Sequence, residues 1–435
     1  MNKKFFIRTY GCQMNVNDSE LVSAILADSG FEKVENIEKA DIVLFNSCTV
    51  RQHAEDRVIG RITQEGGRKD SDNLPVIGLL GCVAQRIGDK LLKNIDALDF
   101  AVGTDQYRKL PALIKEVLQK KKRATLVEQD NKEVYGDIKP LRRQGPNAFV
   151  TIMRGCNNFC TYCVVPYVRG RERSRELDKI LEEIEIAGQN GFKDVTLLGQ
   201  NVNSYHYKNQ KFADLLNKAA DIKTIKRLRF VTSHPKDLSC KVIDTMASKK
   251  KICKSIHLPL QSGSDKILDK MNRKYDFSHY RKLIRKLRSA MPQIAITTDV
   301  MVGFPGETES DFMYTQHALD SIRFDYSFTF KYSPRKGTKA ANFKNQVEED
   351  VRLQRLQKLI DLQNSITHEK YKEKIGDVAT VYVEQVSKKD ENELSGRTED
   401  NKIAVFPGDK ELIGSFVNIK ITGATGWTLL GKKIA

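Results

Sequence analysis

"MRGCNNFCTYCVVPYVRGRERSR", residues 153–175, sets three cysteines within eight positions, Cys156, Cys160 and Cys163, and four arginines in the dozen residues that follow, Arg169, Arg171, Arg173 and Arg175. The run continues an apolar stretch, "NAFVTIM", with the make-up of a β-strand. A zinc site would call for a fourth Cys or His at short spacing, and none is there. Three thiolates suit a [4Fe–4S] cluster that keeps one iron without a protein ligand, whereas electron-carrier ferredoxins supply four cysteines. An open iron can take a small chelating ligand, and the amino and carboxylate groups of S-adenosylmethionine fill that role.

Working outward, "NAFVTIMRGC" opens a β/α series. Five further strand candidates follow: "KDVTLLGQN", "KRLRFVTSHP", "CKSIHLPLQSG", "IAITTDVMVGFPG" and "DYSFTFKYSP". Helical stretches such as "SRELDKILEEIEIAGQNG" separate them, which predicts a partial (β/α)6 barrel of the TIM type over residues 146–370. The cysteine loop then stands at the carboxyl end of the first strand, where such folds place their chemistry. Upstream, "KKFFIRTYGC", "ADIVLFNSC", "LPVIGLLGC" and "LDFAVGTDQ" alternate with amphipathic stretches, predicting a parallel β/α domain over residues 1–120. Residues 121–145 lack periodicity and are rich in charge, and read as a linker. Beyond residue 371, "ATVYVEQVS", "KIAVFPG" and "GSFVNIKITGAT" alternate without helices, the pattern of a small antiparallel β-barrel. The fold class is thus α/β with an all-β tail.

Cys12, Cys48 and Cys82 each end a strand of the amino-terminal sheet. Adjacent strands lie ~4.8 Å apart, so cysteines 34–36 residues apart in sequence can share one site if their strands are neighbours.

Net charge is +17 over 435 residues, which points to an anionic partner. Residues 1–123 carry 20 Lys+Arg against 17 Asp+Glu and residues 376–435 carry 8 against 9, leaving +15 in the middle of the chain. No apolar run approaches the ~18 residues of a membrane span. The start, "MNKKFFIRTYGC", lacks a secretory pattern, so a cytoplasmic location is expected. In that reducing compartment clustered cysteines read as metal-binding rather than disulfide-bonded.

The spacing CxxxCxxC, with the aromatic Tyr162 before the last cysteine, resembles the cluster motif of the radical S-adenosylmethionine enzymes. Combined with a three-cysteine amino-terminal domain and the small barrel, it resembles the methylthiotransferases over essentially the whole chain. The word "YGCQMNVNDSE" at Cys12 resembles the branch that acts on N6-isopentenyl (dimethylallyl) adenosine of tRNA. "SGRTEDNKIAVFPG" and "GSFVNIKITGATGWTLLG" resemble a TRAM module, a nucleic-acid-binding barrel, although this tail is formally −1. The resemblance implies that Cys156, Cys160 and Cys163 hold the radical cluster, that Cys12, Cys48 and Cys82 hold an auxiliary [4Fe–4S] cluster, and that Tyr162 lies near the adenine of S-adenosylmethionine. It further implies a methylthio group added to carbon 2 of adenosine 37, two S-adenosylmethionine molecules per product, the tRNA anticodon stem-loop as partner, an external electron donor and a monomer. Relatives perform the same chemistry on threonylcarbamoyl-adenosine tRNA or on a ribosomal-protein aspartate. A non-catalytic RNA-binding protein with structural zinc is the reading from another class.

"LLGQNVNS" lies where radical enzymes carry a Gly-Gly-Glu element that holds the cofactor's amino group; here Gly199, Gln200 and Asn201 stand instead, and Gln200 and Asn201 can still accept from an ammonium or form an ordinary polar loop. "GFPGET", residues 303–308, reads as a turn. The alternating arginines would share one face of an extended segment; they could meet tRNA phosphates or the cofactor carboxylate, or be internally paired, with Glu172 and Glu176 nearby. His234 is expected as a hydrogen-bonded loop histidine. Cys240 and Cys253 are expected as packing residues.

Overall fold

The computed structural model describes residues 3–49, 52–67, 75–120, 122–142 and 145–434. The amino-terminal sheet has strands β1 (Lys4–Tyr10), β2 (Glu32–Lys33), β3 (Ile42–Ser47), β4 (Val76–Gly81), β5 (Phe100–Val102) and β6 (Ala124–Leu126), ordered β2-β1-β3-β4-β5-β6 and parallel throughout. Helices α1 (Gln13–Asp28), α2 (Gln52–Gly66), α3 (Cys82–Asn94) and α4 (Leu110–Lys120) cover both faces. The alternation of side chains along a strand divides the core accordingly. Phe5, Ile7, Ile42 and Leu44 pack with α1 and α4, while Phe6, Val43 and Phe45 pack with α2 and α3. Burial on both faces is what makes these strands read as continuous apolar runs.

The stretch expected to be a linker begins at Lys121, which lies outside the described residues. Ala124–Leu126 adds the edge strand β6, and Tyr135 is buried in the sheet's core, its hydroxyl donating to the Thr104 carbonyl at 3.1 Å. A three-residue strand and a single aromatic anchor leave no periodicity to read.

Six parallel strands follow, β7 (Asn147–Thr151), β8 (Asp194–Leu198), β9 (Arg227–Phe230), β10 (Ser255–His257), β11 (Ala295–Val302) and β12 (Tyr326–Lys331), all at the expected places. They form two three-stranded sheets, β9-β8-β7 and β10-β11-β12, joined by a single parallel bridge between Leu228 and Ile252. Among the described residues no pairing joins β12 to β7, so the barrel is an open arc. Helices pack its convex side through one large apolar core that includes Ile256, Ile296, Val300, Leu287 and Leu319.

The tail is a closed five-stranded barrel of β13 (Val378–Val386), β14 (Glu393–Arg397), β15 (Ile403–Pro407), β16 (Phe416–Thr425) and β17 (Thr428–Lys433), ordered β13-β14-β15-β17-β16. All its pairings are antiparallel except β15 with β17. It docks against the amino-terminal ends of the arc's strands. The Arg227 guanidinium donates to the carbonyls of Arg397 (2.8 Å) and Thr380 (3.1 Å), Arg229 to that of Thr398 (2.8 Å), and Tyr382 to that of Pro146 (2.7 Å). Lys402 pairs with Asp325 at 2.9 Å, just before β12. Among the described residues no helix is long and apolar enough to cross a membrane.

Candidate active site between two cysteine triads

Sheet order settles the adjacency that the first triad needs. Strands β1, β3 and β4 are neighbours, and the register aligns Tyr10 with Ser47 and Ser47 with Gly81. Cys12, Cys48 and Cys82 therefore all follow aligned strand ends at the carboxyl edge of one sheet. The backbone there is crowded: a Cβ on Gly11 would lie 2.8 Å from the Cys48 Cβ, and Gly81 has a φ of +88° that favours glycine. Asn15 sits beneath, accepting from the Cys12 amide (3.4 Å) and donating to Asn46 (3.0 Å). A hydrogen bond with Cys48, helped by Arg169, brings the exposed Cys12 thiol down to about 6. Among the described residues no three ligating side chains stand in a ready coordination geometry. What the fold fixes is the placement of the three backbone positions.

The second triad lies on the loop after β7. Gly155 (φ +77°) lets the loop pass under Arg171, whose carbonyl would be 2.0 Å from an added Cβ. The Cys156 amide donates to the Gly170 carbonyl at 3.2 Å, and that of Cys163 to Cys160 at 3.0 Å. Donors are aimed at the sulfurs: the Asn158 amide and side chain reach Cys156 Sγ at 3.5 Å, and Arg273 Nη1 reaches Cys160 Sγ at 3.4 Å. Thiolate ligands carry negative charge, and donors to sulfur suit an iron–sulfur site. Burial pushes the free Cys163 thiol up to about 12, an environment that favours a metal-bound sulfur over a bare thiolate.

Arg169 couples the two triads. It ends the short helix Val165–Arg169, is buried, and its Nε donates to Cys82 Sγ at 3.2 Å. Its Nη2 bonds Asp18 of α1 at 2.7 Å, and Arg154 bonds the other oxygen of Asp18 at 2.7 Å. Desolvation works against the Asp18 charge, but the two guanidiniums hold its carboxyl below the usual range. Of the open readings of the arginine run, internal pairing is what the structure displays, with partners other than Glu172 and Glu176. Arg173 binds Asp105 (3.0 Å), Arg175 binds Glu183 (2.7 Å), and only Arg171 is exposed, over the Phe159 ring. The segment is also not one extended strand, because the chain turns at Gly170 between the helix and a two-residue strand, Arg173–Ser174.

The Gln200 side chain accepts from the Gly155 amide at 2.5 Å, which ties it to the cysteine loop. Asn201 is buried and donates to Asp237 at 2.7 Å. Its Oδ1, both polar atoms of Asn203 and Ser233 Oγ are buried without a partner among the described residues. These atoms follow the carboxyl ends of β8 and β9, and buried polar atoms without partners call for a polar ligand. Tyr162 packs edge-on to Phe304 (6.4 Å between ring centroids), the floor supplied by the 303–308 turn. That turn is held by Glu307, which accepts from the Gly303 amide (2.8 Å) and pairs with buried Arg355 (2.7 Å).

His234 is the loop histidine expected, its Nδ1 accepting from the Lys236 amide at 3.3 Å. Burial, with Arg273 and Lys236 adding to it, lowers its imidazole to about 2. The unfolded chain protonates this side chain near 6.5, so lowering the pH below that value favours unfolding, by up to about 1.4 kcal/mol per pH unit. Urea unfolding between pH 6 and 4.5 should lose stability more steeply in the wild type than in His234→Gln; equal slopes would contradict the burial. Cys253 is a packing residue as expected, but Cys240 is not. It is exposed at the first position of helix Cys240–Ser248, beside Lys286 Nζ at 3.2 Å, because Ser239 takes the capping position and leaves Cys240 on the outer face. Sequence reasoning missed Arg273 and Asp18. Asp18 is in the "NVNDSE" word, but nothing local marks it as a buried anion.

Residues 150–319 match the Radical SAM superfamily, residues 4–103 match Uncharacterized protein family UPF0004, and residues 372–434 match the TRAM domain. Over 438 aligned positions the whole chain is 46% identical to the tRNA-2-methylthio-N(6)-dimethylallyladenosine synthase of Thermoanaerobacter sp. (strain X514), spanning 93% of that protein. The chain belongs to the tRNA-2-methylthio-N(6)-dimethylallyladenosine synthase family. Synthases of the same name from Clostridium perfringens (strain SM101 / Type A; 44% identity, 99% of this chain and 98% of that protein) and Carboxydothermus hydrogenoformans (46%, 97% of each) agree. At the level of fold alone, this synthase-family chain is similar to the radical S-adenosylmethionine methyltransferase TsrM from Kitasatospora setae, with a TM-score of 0.59, 14% identity, and coverage of 78% of this chain and 74% of that one. It is also similar to the cobalamin-dependent radical enzyme OxsB, with a TM-score of 0.56, 12% identity, and 84% and 58% coverage. The chain is a radical S-adenosylmethionine enzyme.

Proposed function

We propose that the chain transfers a methylthio group to carbon 2 of N6-isopentenyl adenosine at position 37 of tRNA. The observation that carries this reading is Arg169, bonded at once to Cys82 and, through Asp18, to the helix that follows Cys12: it sets the radical-motif loop against the triad of Cys12, Cys48 and Cys82. One set of cysteines would serve radical chemistry alone. A second set against the first is what sulfur insertion requires. In this reading Cys156, Cys160 and Cys163 hold one [4Fe–4S] cluster and Cys12, Cys48 and Cys82 another, with two S-adenosylmethionine molecules used per product.

An iron–sulfur cluster with S-adenosylmethionine supplies a carbon radical, which an unactivated aromatic C–H bond requires because side-chain acids and bases cannot open it at neutral pH. The protein's own part is placement and shielding. Gln200 and the Gly155 turn hold the cysteine loop, Asn158 and Arg273 donate to its sulfurs, and Asn201, Asn203 and Ser233 offer the buried polar atoms for the cofactor. Tyr162 and Phe304 form an apolar wall.

Nucleoside mass spectrometry of tRNA from cells lacking this protein tests the substrate. Methylthio-isopentenyladenosine should vanish while isopentenyladenosine accumulates. An unchanged level, with loss instead of a methylthio-threonylcarbamoyl nucleoside, would reassign the substrate.

A further inference from the structure

The concave side of the arc's last three strands, opposite the helices, is left open. Along β11 the residues alternate between buried Ile296, Thr298, Val300 and Val302 and half-buried Thr297, Asp299 and Met301. Along β12, Tyr326, Phe328 and Phe330 point to the half-buried side. Register sets Tyr326 beside Thr297, Phe328 beside Asp299 and Phe330 beside Met301. Phe328 and Phe330 are 39% and 37% exposed.

The row continues into another domain. Trp427, in the turn between β16 and β17 of the tail, is 48% exposed and meets Tyr326 edge-on at 6.3 Å, while Tyr326 meets Phe328 edge-on at 4.8 Å. Beside the rings is a polar pair: His257 Nε2 lies 3.4 Å from Asp299 Oδ2 and its Nδ1 lies 3.0 Å from Thr297 Oγ1, with the ring edge-on to Phe328 at 6.0 Å. Because β12 is an edge strand, this row borders the gap in the arc.

We infer that Trp427, Tyr326, Phe328 and Phe330 form a stacking track for unpaired bases of the RNA substrate, with the His257–Asp299 pair reading a base edge. The inference rests on the proposed RNA substrate and deepens it. Two observations favour RNA over an apolar protein partner. Residues 124–375, which include β10–β12 though not Trp427, carry +15 of the chain's +17 charges, complementary to a phosphate backbone. Two of the rings' three register partners, Thr297 and Asp299, are polar and one, Met301, is not; polar groups beside exposed rings are the pattern of single-strand readers, in which bases stack on aromatic faces and hydrogen-bond at their edges.

Trp427 is the single tryptophan of the chain, so intrinsic emission reports this position alone. Titrating the full-length protein with an RNA hairpin that has an unpaired loop should quench that emission, and a fully paired RNA should not. Anisotropy of the end-labelled hairpin follows binding independently. Phe328→Ala and Trp427→Ala should each weaken hairpin binding about 5- to 100-fold, with Phe328→Tyr and Trp427→Phe restoring it. Phe328 is exposed enough for its truncation to leave the core filled. Hairpin binding without quenching, absence of hairpin binding, or binding unchanged in both alanine variants would each overturn the track. Emission that changes with protein concentration alone would assign the face to a second copy of the chain and overturn it too. Quenching in a protein that leaves tRNA methylthiolation unchanged in cells would keep the track and sink the proposed reaction; methylthiolated product without quenching would do the reverse.

Discussion

Cys156→Ala is expected to abolish the release of 5′-deoxyadenosine from S-adenosylmethionine, whereas Cys12→Ala is expected to spare that release and eliminate methylthiolated product. The two residues belong to different domains. Cys156 is fixed by the hydrogen bond that its amide donates to the Gly170 carbonyl and by the donors of Asn158, while Cys12 caps α1 above Asn15. With both sites loaded the wild type should hold about eight irons per chain, and either variant about four. Anaerobic iron and sulfide assays, together with chromatography of the cleaved cofactor, separate the outcomes. Equal loss of cofactor cleavage in both variants would refute the division of labour, and bound zinc in place of iron would exclude radical chemistry altogether.

The second large effect is on stability. Asp18→Asn should lower the unfolding free energy by about 3–5 kcal/mol, because it leaves the guanidiniums of Arg154 and Arg169 buried without a counter-charge. Both bonds to Asp18 are 2.7 Å, and neither arginine has water to fall back on. Glu116→Gln, which breaks the exposed pair with Lys120, should cost at most about 0.5 kcal/mol. Urea unfolding of the two variants side by side gives the contrast. A small shift for Asp18→Asn would mean that the arginines are less confined than their burial indicates.

Much of this architecture is legible in the sequence because parallel strands covered on both faces are written as uninterrupted apolar runs, and because cysteines at strand ends converge once the strands are neighbours. The six strands of the arc fall where their apolar runs stand. What escapes is set by contacts between distant segments. The partner of Arg169 is 151 positions away and that of Arg173 is 68 away, so no local pattern could name Asp18 or Asp105. In the tail, β14 and β17 were not expected. β14 is the polar "ELSGR", whose Gly396 is demanded by the Tyr382 carbonyl, 2.1 Å from where a Cβ would be, a requirement that only the closed barrel reveals. Arg273 reaches Cys160 across 113 positions, and its neighbourhood, "MNRKYD", reads as surface.

The docking of the tail has a consequence for traffic. With Arg227 and Arg229 locked onto its carbonyls and its own Tyr382 onto that of Pro146, the tail stoppers the arc from below, and among the described residues no strand pairing closes the arc between β7 and β12. A closed barrel would ask a polymer to thread an end. An open arc sets no such demand: α1, bonded through Asn17 to the β7 edge, stands where a closing strand would be, and a long folded polymer need be met only along its length.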